Sequence, residues 1–233
     1  MNQKPETLPP LQSTRFRPQL KICGLTDPAQ AVECARLGAD AVGLVFFPKS
    51  PRHVTDDLAR RICAALPSSV ARVGVFVNAS FDVVKAKADG CGLTAVQLHG
   101  RETPELVDRL KAEGLTVIKA LFVDGRPELT AAPDYRASAF LVECSKGPLP
   151  GGNAMAWDWG AALKFGQRHP LVLAGGLAPE NVARAIADAR PAAVDVSSGV
   201  EAAPGTKDLA KVAAFIEAVR HTGRHIDPRR RIF

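Results

Sequence analysis

From Leu20 onward, short apolar runs rich in β-branched residues alternate with longer segments in which apolar residues recur every three or four positions. A period of two marks a strand and a period near 3.6 marks a helix. Their regular alternation is the pattern of parallel βαβ units. Eight strands are predicted, near Leu20–Cys23, Ala41–Phe46, Val73–Val77, Ala95–His99, Thr116–Ala120, Ala139–Glu143, Leu171–Ala174 and Ala193–Val196. Asp27-Pro28, Thr55-Asp56-Asp57, Thr103-Pro104-Glu105 and Pro179-Glu180 supply helix starts, and Gly38, Gly90 and Gly114 stand where left-handed closing residues are wanted. Asp124–Ala132 is weak as a fifth helix, and Gly147–Asn153 reads as a loop after the sixth strand. Eight strand–helix repeats predict an α/β fold, a (β/α)8 TIM barrel in one domain over residues 19–220, in preference to an open doubly wound sheet. Residues 1–18 are expected to be a poorly ordered extension and 221–233 a poorly ordered basic tail.

Composition narrows the class. The chain has 233 residues, 46% of them hydrophobic, enough for one large core. It has no run of ~20 apolar residues able to span a bilayer. Its first residues carry Lys4, Glu6 and Arg15 in place of an apolar leader, so a cytoplasmic protein without a membrane partner is expected. The formal charge is +6, but basic residues gather near the end, at Arg224 and Arg229-Arg230-Arg231, which points to a solvated tail and not to nucleic acid. Such a charge favours approach of phosphorylated anions. Five cysteines form no CxxC pair and the histidines form no HExxH pattern, so neither disulfide framework nor metal is expected.

In a barrel of this kind chemistry sits at the C-terminal ends of the strands. On the first strand the period of two puts Lys21 and Cys23 on one side and Ile22 on the other. A neighbouring ammonium favours the thiolate, so Cys23 is a candidate base or nucleophile with a lowered pKa. Glu143 ends an otherwise apolar sixth strand, where burial would favour its protonated form and make it a candidate general acid. Arg52, in a loop stiffened by Pro48 and Pro51, suits a bidentate pair with a carboxylate. Gly175-Gly176 after the seventh strand and Ser197-Ser198-Gly199 after the eighth suit phosphate, because glycines let N–H groups approach an anion. Asp195 shares a face with Ser197 and would lie beside the first strand, paired with Lys21. His99, on the face of Gln97, is a hydrogen-bonding or packing residue with a possible place in the site, and Trp157 and Trp159 are expected to pack.

These residues fall in runs, Lys21–Thr26, Gly43–Val54, Val73–Asn78, Val96–Gly100, Ala174–Leu177 and Val194–Glu201 followed by Pro204-Gly205, through which the chain resembles the phosphoribosylanthranilate isomerase family of tryptophan biosynthesis. The resemblance implies Cys23 as base, Arg52 on the anthranilate carboxylate, and the loops at Gly175-Gly176 and Ser198-Gly199 on the phosphate. It implies an Amadori rearrangement without a cofactor: an acid opens the ribose ring to a Schiff base, the base removes the C2′ proton, and the enolamine becomes the aminoketone. A small phosphorylated substrate and a monomer or homodimer follow. The family usually has Asp where this chain has Glu143, and a Gly-Gly-Ser/Thr-Gly-Lys-like run where this chain reads Gly151-Gly152-Asn153-Ala154-Met155. The alternatives are another phosphosugar-barrel isomerase and a noncatalytic phosphate-binding paralogue.

Overall fold

The structure, a computed structural model, describes residues 17–144, 156–222 and 231–233. Eight parallel strands close into a barrel in chain order, with the eighth hydrogen-bonded back to the first. They are β1 (Gln19–Cys23), β2 (Ala41–Val45), β3 (Ala71–Phe76), β4 (Ala95–Leu98), β5 (Thr116–Phe122), β6 (Ala139–Glu143), β7 (Leu171–Leu173) and β8 (Ala193–Val196). The surrounding helices are α1 (Pro28–Leu37), α2 (Asp56–Ala65), α3 (Phe81–Cys91), α4 (Pro104–Ala112), α5 (Leu163–Arg168), α6 (Val182–Ala189) and α7 (Leu209–Arg220). A hairpin of β9 (Glu201–Ala203) and β10 (Thr206–Lys207) intervenes between β8 and α7.

Local chemistry accounts for most boundaries. Asp27 accepts from Gln30 N at the start of α1, and Gly38 ends it at φ 117°. Thr55 accepts from Leu58 N, and Asp56 and Asp57 place negative charge in the first turn of α2. Two expected ends are corrected. Gly90 lies inside α3, which runs one residue further and closes on Gly92 at φ 70°. Pro179-Glu180 belongs to a turn in which Asn181 Oδ1 accepts from Ala178 N, so α6 begins only at Val182. The weak fifth helix is a 3-10 segment, Leu129–Asp134.

The period of two in each strand separates two apolar layers. Outward residues such as Leu20, Ile22, Val42 and Leu44 pack under the helices. Inward residues including Ala41, Val73, Ala95, Ile118, Ala120, Ala139, Leu141 and Val172 fill the lumen, so the barrel is solid and its chemistry is confined to the upper rim. At the opposite end Ile232 and Phe233 pack on this inner cluster, while Gln19 Oε1 accepts from both of their N–H groups and Gln19 Nε2 donates to the Phe233 carbonyl. Two apolar side chains at the end of the basic tail thus cover the floor of the lumen. The expected extension at 1–16, the loop at 145–155 and Arg224 lie outside the described residues.

Candidate active site

At the C-terminal end of β1 the inward side chains are Lys21 and, one layer higher, Cys23. Room for both comes from Gly43 on β2: a Cβ there would lie 2.6 Å from Cys23 Sγ and 3.1 Å from Lys21 Nζ. The β1–β8 register sets Lys21 opposite Asp195, and Lys21 Nζ donates to Asp195 Oδ2 at 2.8 Å in full burial. Burial alone would lower the Lys21 pKa, but Asp195 and Cys23 outweigh it and hold the ammonium above its ordinary value. Asp195 Oδ1 is buried with no partner among the described residues.

The lowered pKa expected for Cys23 is corrected. Burial pushes the thiol up from its ordinary value, outweighing the opposing pull of Lys21. A strand terminus looks exposed in a sequence, yet Cys23 is only 8% accessible beneath Val45, Val75 and Phe47. Cys23 in the free protein is therefore expected to react slowly with iodoacetamide at neutral pH, its rate rising with an apparent pKa above the ordinary 9.0. Peptide mapping across a pH series measures this, and a midpoint below that value would contradict the assignment.

Glu143 ends β6, is buried, and accepts a short contact of 2.7 Å from His99 Nε2. Gln97, two residues earlier on the same face of β4, lies 2.8 Å from His99 Nδ1 through its amide nitrogen. With the Gln97 amide nitrogen as donor, Nδ1 accepts and the ring proton lies on Nε2, directed at Glu143, an arrangement that leaves Gln97 Oε1 buried without a partner among the described residues. Phe122 meets the imidazole edge-on at 5.8 Å. The structure thus joins two residues that sequence reasoning had treated apart.

Arg52 is buried, and its use differs from the expectation. Its Nε and Nη2 donate to Glu201 Oε1 and Oε2 at 2.8 and 2.7 Å, so the bidentate edge is occupied from within the chain. Lys207 Nζ also donates to Glu201, at 2.7 Å. Burial would raise the Glu201 pKa, but these two cations outweigh it and hold the carboxyl below its ordinary value. The guanidinium stem crosses Gly24, where a Cβ would sit 2.5 Å from Arg52 Cδ, and so lies next to Cys23. Nη1 and the second N–H of Nη2 lie outside the Glu201 pair.

The two rim loops after β7 and β8 meet: a Cβ on Gly199 would fall 1.9 Å from the Leu177 carbonyl. Gly175 and Gly176 have φ of 85° and 66°, the left-handed region that favours glycine. Trp157 Nε1 donates to Ala174 O and Trp159 Nε1 to Gly175 O, so these indoles fix the loop as well as packing. Among the described residues the N–H groups of Gly175, Gly176, Ser198 and Gly199 have no protein acceptor. Ser197 is spent differently, since its hydroxyl donates to the Cys23 carbonyl at 3.1 Å. Gly175 also adjoins Glu143, with its Cβ position 3.2 Å from Glu143 Cβ. Among the described residues no group of three metal-ligating side chains occurs.

Fold and site together define a class: a (β/α)8 barrel that brings a thiol, a carboxyl and two glycine-rich loops to one rim. Residues 20–218 match the family model described as N-(5'phosphoribosyl)anthranilate (PRA) isomerase. The N-(5'-phosphoribosyl)anthranilate isomerase of Desulfatibacillum aliphaticivorans is 57% identical over 212 residues, covering 91% of this chain and 97% of that one. The crystal structure of phosphoribosyl anthranilate isomerase from Thermotoga maritima superposes with a TM-score of 0.80 at 44% identity, over 88% of this chain and 99% of that one. A phosphoribosyl anthranilate isomerase solved in complex with reduced 1-(o-carboxyphenylamino)-1-deoxyribulose 5-phosphate gives 0.78 at 43% identity, over 88% and 99%. The chain belongs to the phosphoribosylanthranilate isomerase family and is an isomerase of that substrate.

Proposed function

We propose that Cys23 and Glu143 carry the proton transfers of the Amadori rearrangement. Glu143, protonated, donates to the ribose ring oxygen as the C1′–O bond breaks, leaving a Schiff base to the anthranilate nitrogen. Cys23, as thiolate, removes the C2′ proton; the electron pair forms the C1′–C2′ double bond and neutralises the iminium. The enol then becomes the aminoketone 1-(2-carboxyphenylamino)-1-deoxyribulose 5-phosphate. Lys21 and Asp195 set the field beneath Cys23. His99 contacts the acid, and Arg52 holds the anthranilate carboxylate through Nη1.

The observation that carries this reading is the set of N–H groups at Gly175, Gly176, Ser198 and Gly199 that have no acceptor among the described residues, a set that adjoins Glu143 and fits a phosphate. With the phosphate there, the sugar is drawn along the rim between acid and thiol. Burial raises the Cys23 thiol, and the ammonium groups of Lys21 and Lys207 oppose it and favour the thiolate that removal of the C2′ proton needs.

The proposed assembly is a monomer or homodimer; a dimeric form is described for the Thermotoga maritima relative. No helix of the described residues is long and apolar enough to cross a membrane, and the compartment proposed is the cytoplasm. The test mixes purified protein with freshly generated phosphoribosylanthranilate and follows the loss of anthranilate-type fluorescence. Turnover without added metal or cofactor is expected. Binding of the substrate with no conversion would instead favour a repurposed, noncatalytic barrel.

A further inference from the structure

A further buried ion pair lies under β4 and β5 on the outer side of the sheet. Lys119 points outward from the centre of β5 and is completely buried. Its ammonium donates to three acceptors: Leu98 O at 3.2 Å, Gly100 O at 2.7 Å and Glu102 Oε2 at 3.0 Å. Two of these are the carbonyls on either side of His99. Glu102 completes the clamp, accepting from Gly100 N with both oxygens and from Asn78 N at 2.8 Å. Asn78, at φ 54°, holds the next residue by accepting from Arg101 N at 2.7 Å. Tyr135 covers the assembly by donating its hydroxyl to the Glu102 carbonyl.

We propose that the Lys119–Glu102 pair is a positioning element for the acid, fixing the main chain on both sides of His99 so that its imidazole stays in hydrogen-bond contact with Glu143. This rests on the reading of Glu143 as the acid. Removing two charges from water is costly, and apolar residues of similar volume often replace such a pair with no loss of stability. The pair gains its meaning from geometry. Lys119 is a fork across a single residue, and that residue is the one touching Glu143 at 2.7 Å. The longer carboxyl arm at position 143 has one more rotatable bond than Asp, so a fixed imidazole does more to define where its proton is delivered. Displacements on the order of 1 Å at a reacting group cost about a hundredfold in rate.

The experiment compares wild type with Lys119→Met/Glu102→Gln, which removes both charges while keeping an acceptor for the Asn78 and Gly100 N–H groups, and with Glu143→Gln. The double variant is expected to fold, to lose tenfold or more in kcat with KM within threefold, and to show a mixed tautomer for His99 in long-range proton–nitrogen spectra where wild type shows Nε2–H alone. Turnover within twofold of wild type, an unchanged imidazole signature, or failure of the double variant to fold would each overturn the proposal, the last by making the pair a requirement of the fold. Glu143→Gln separates the two levels. If it keeps wild-type turnover, the acid assignment itself falls, whereas its inactivity beside an active double variant rejects only the positioning role.

Discussion

Replacing Cys23 with serine is expected to lower kcat by ~10²–10⁴-fold, the range contributed by a positioned base, while KM changes little. The substitution is nearly isosteric in a site where Gly43 leaves no slack. A hydroxyl ionises far above a thiol, so the proposed base is lost, whereas the proposed phosphate loops after β7 and β8 and Arg52 after β2 are untouched. Only interactions made in the transition state are lost, which is why rate and not affinity should fall. Steady-state kinetics with the fluorescence assay, beside calorimetric binding of the reduced product analogue, measures both quantities. A variant that turns over at near the wild-type rate would remove Cys23 from the mechanism.

The second large effect concerns stability. Lys21→Met is expected to destabilise the protein by about 3–5 kcal/mol, because it leaves the Asp195 carboxylate buried without its countercharge. Asp195 Oδ1 already lacks a partner among the described residues, so loss of the Lys21 donor from Oδ2 adds to an existing deficit. Denaturant unfolding gives the number. A loss below about 1 kcal/mol, the scale of exposed pairs, would mean that water reaches the site. Converting Asp195 to Asn in the same chain should recover part of the loss, since the two substitutions share one interaction.

Much of this is legible in the sequence. The strand period placed Lys21 and Cys23 inward together, and closure of eight strands put Asp195 beside Lys21. Glu143, His99 and the two glycine loops then fell on one rim. What escaped was decided by tertiary contact. Glu201 lies 149 residues from Arg52, and no local pattern links them, so the guanidinium was expected to be free for a ligand. Lys119 offered a signal that periodicity alone does not interpret: a lysine inside Val117-Ile118-Lys119-Ala120-Leu121 must be paired, but its partner arrives from the β4 loop. The sequence points to a lowered Cys23 pKa because proximity to a cation is visible in it, while the depth of burial that reverses the shift is not.

The Lys21–Asp195 bond also says when the enzyme becomes an enzyme. Its two members stand 174 residues apart on β1 and β8, the strands whose pairing seals the barrel, and the Ser197 hydroxyl reaches the Cys23 carbonyl across the same seam. Until that seam zips, the ammonium remains hydrated, and the thiol has neither its charged neighbour in register nor its final depth. Contacts of such separation come at the far end of the entropic cost of ring closure and are slow to form. A refolding chain can therefore regain its helices and most of its strands well ahead of its catalytic competence, with return of activity marking the moment the last strand finds the first.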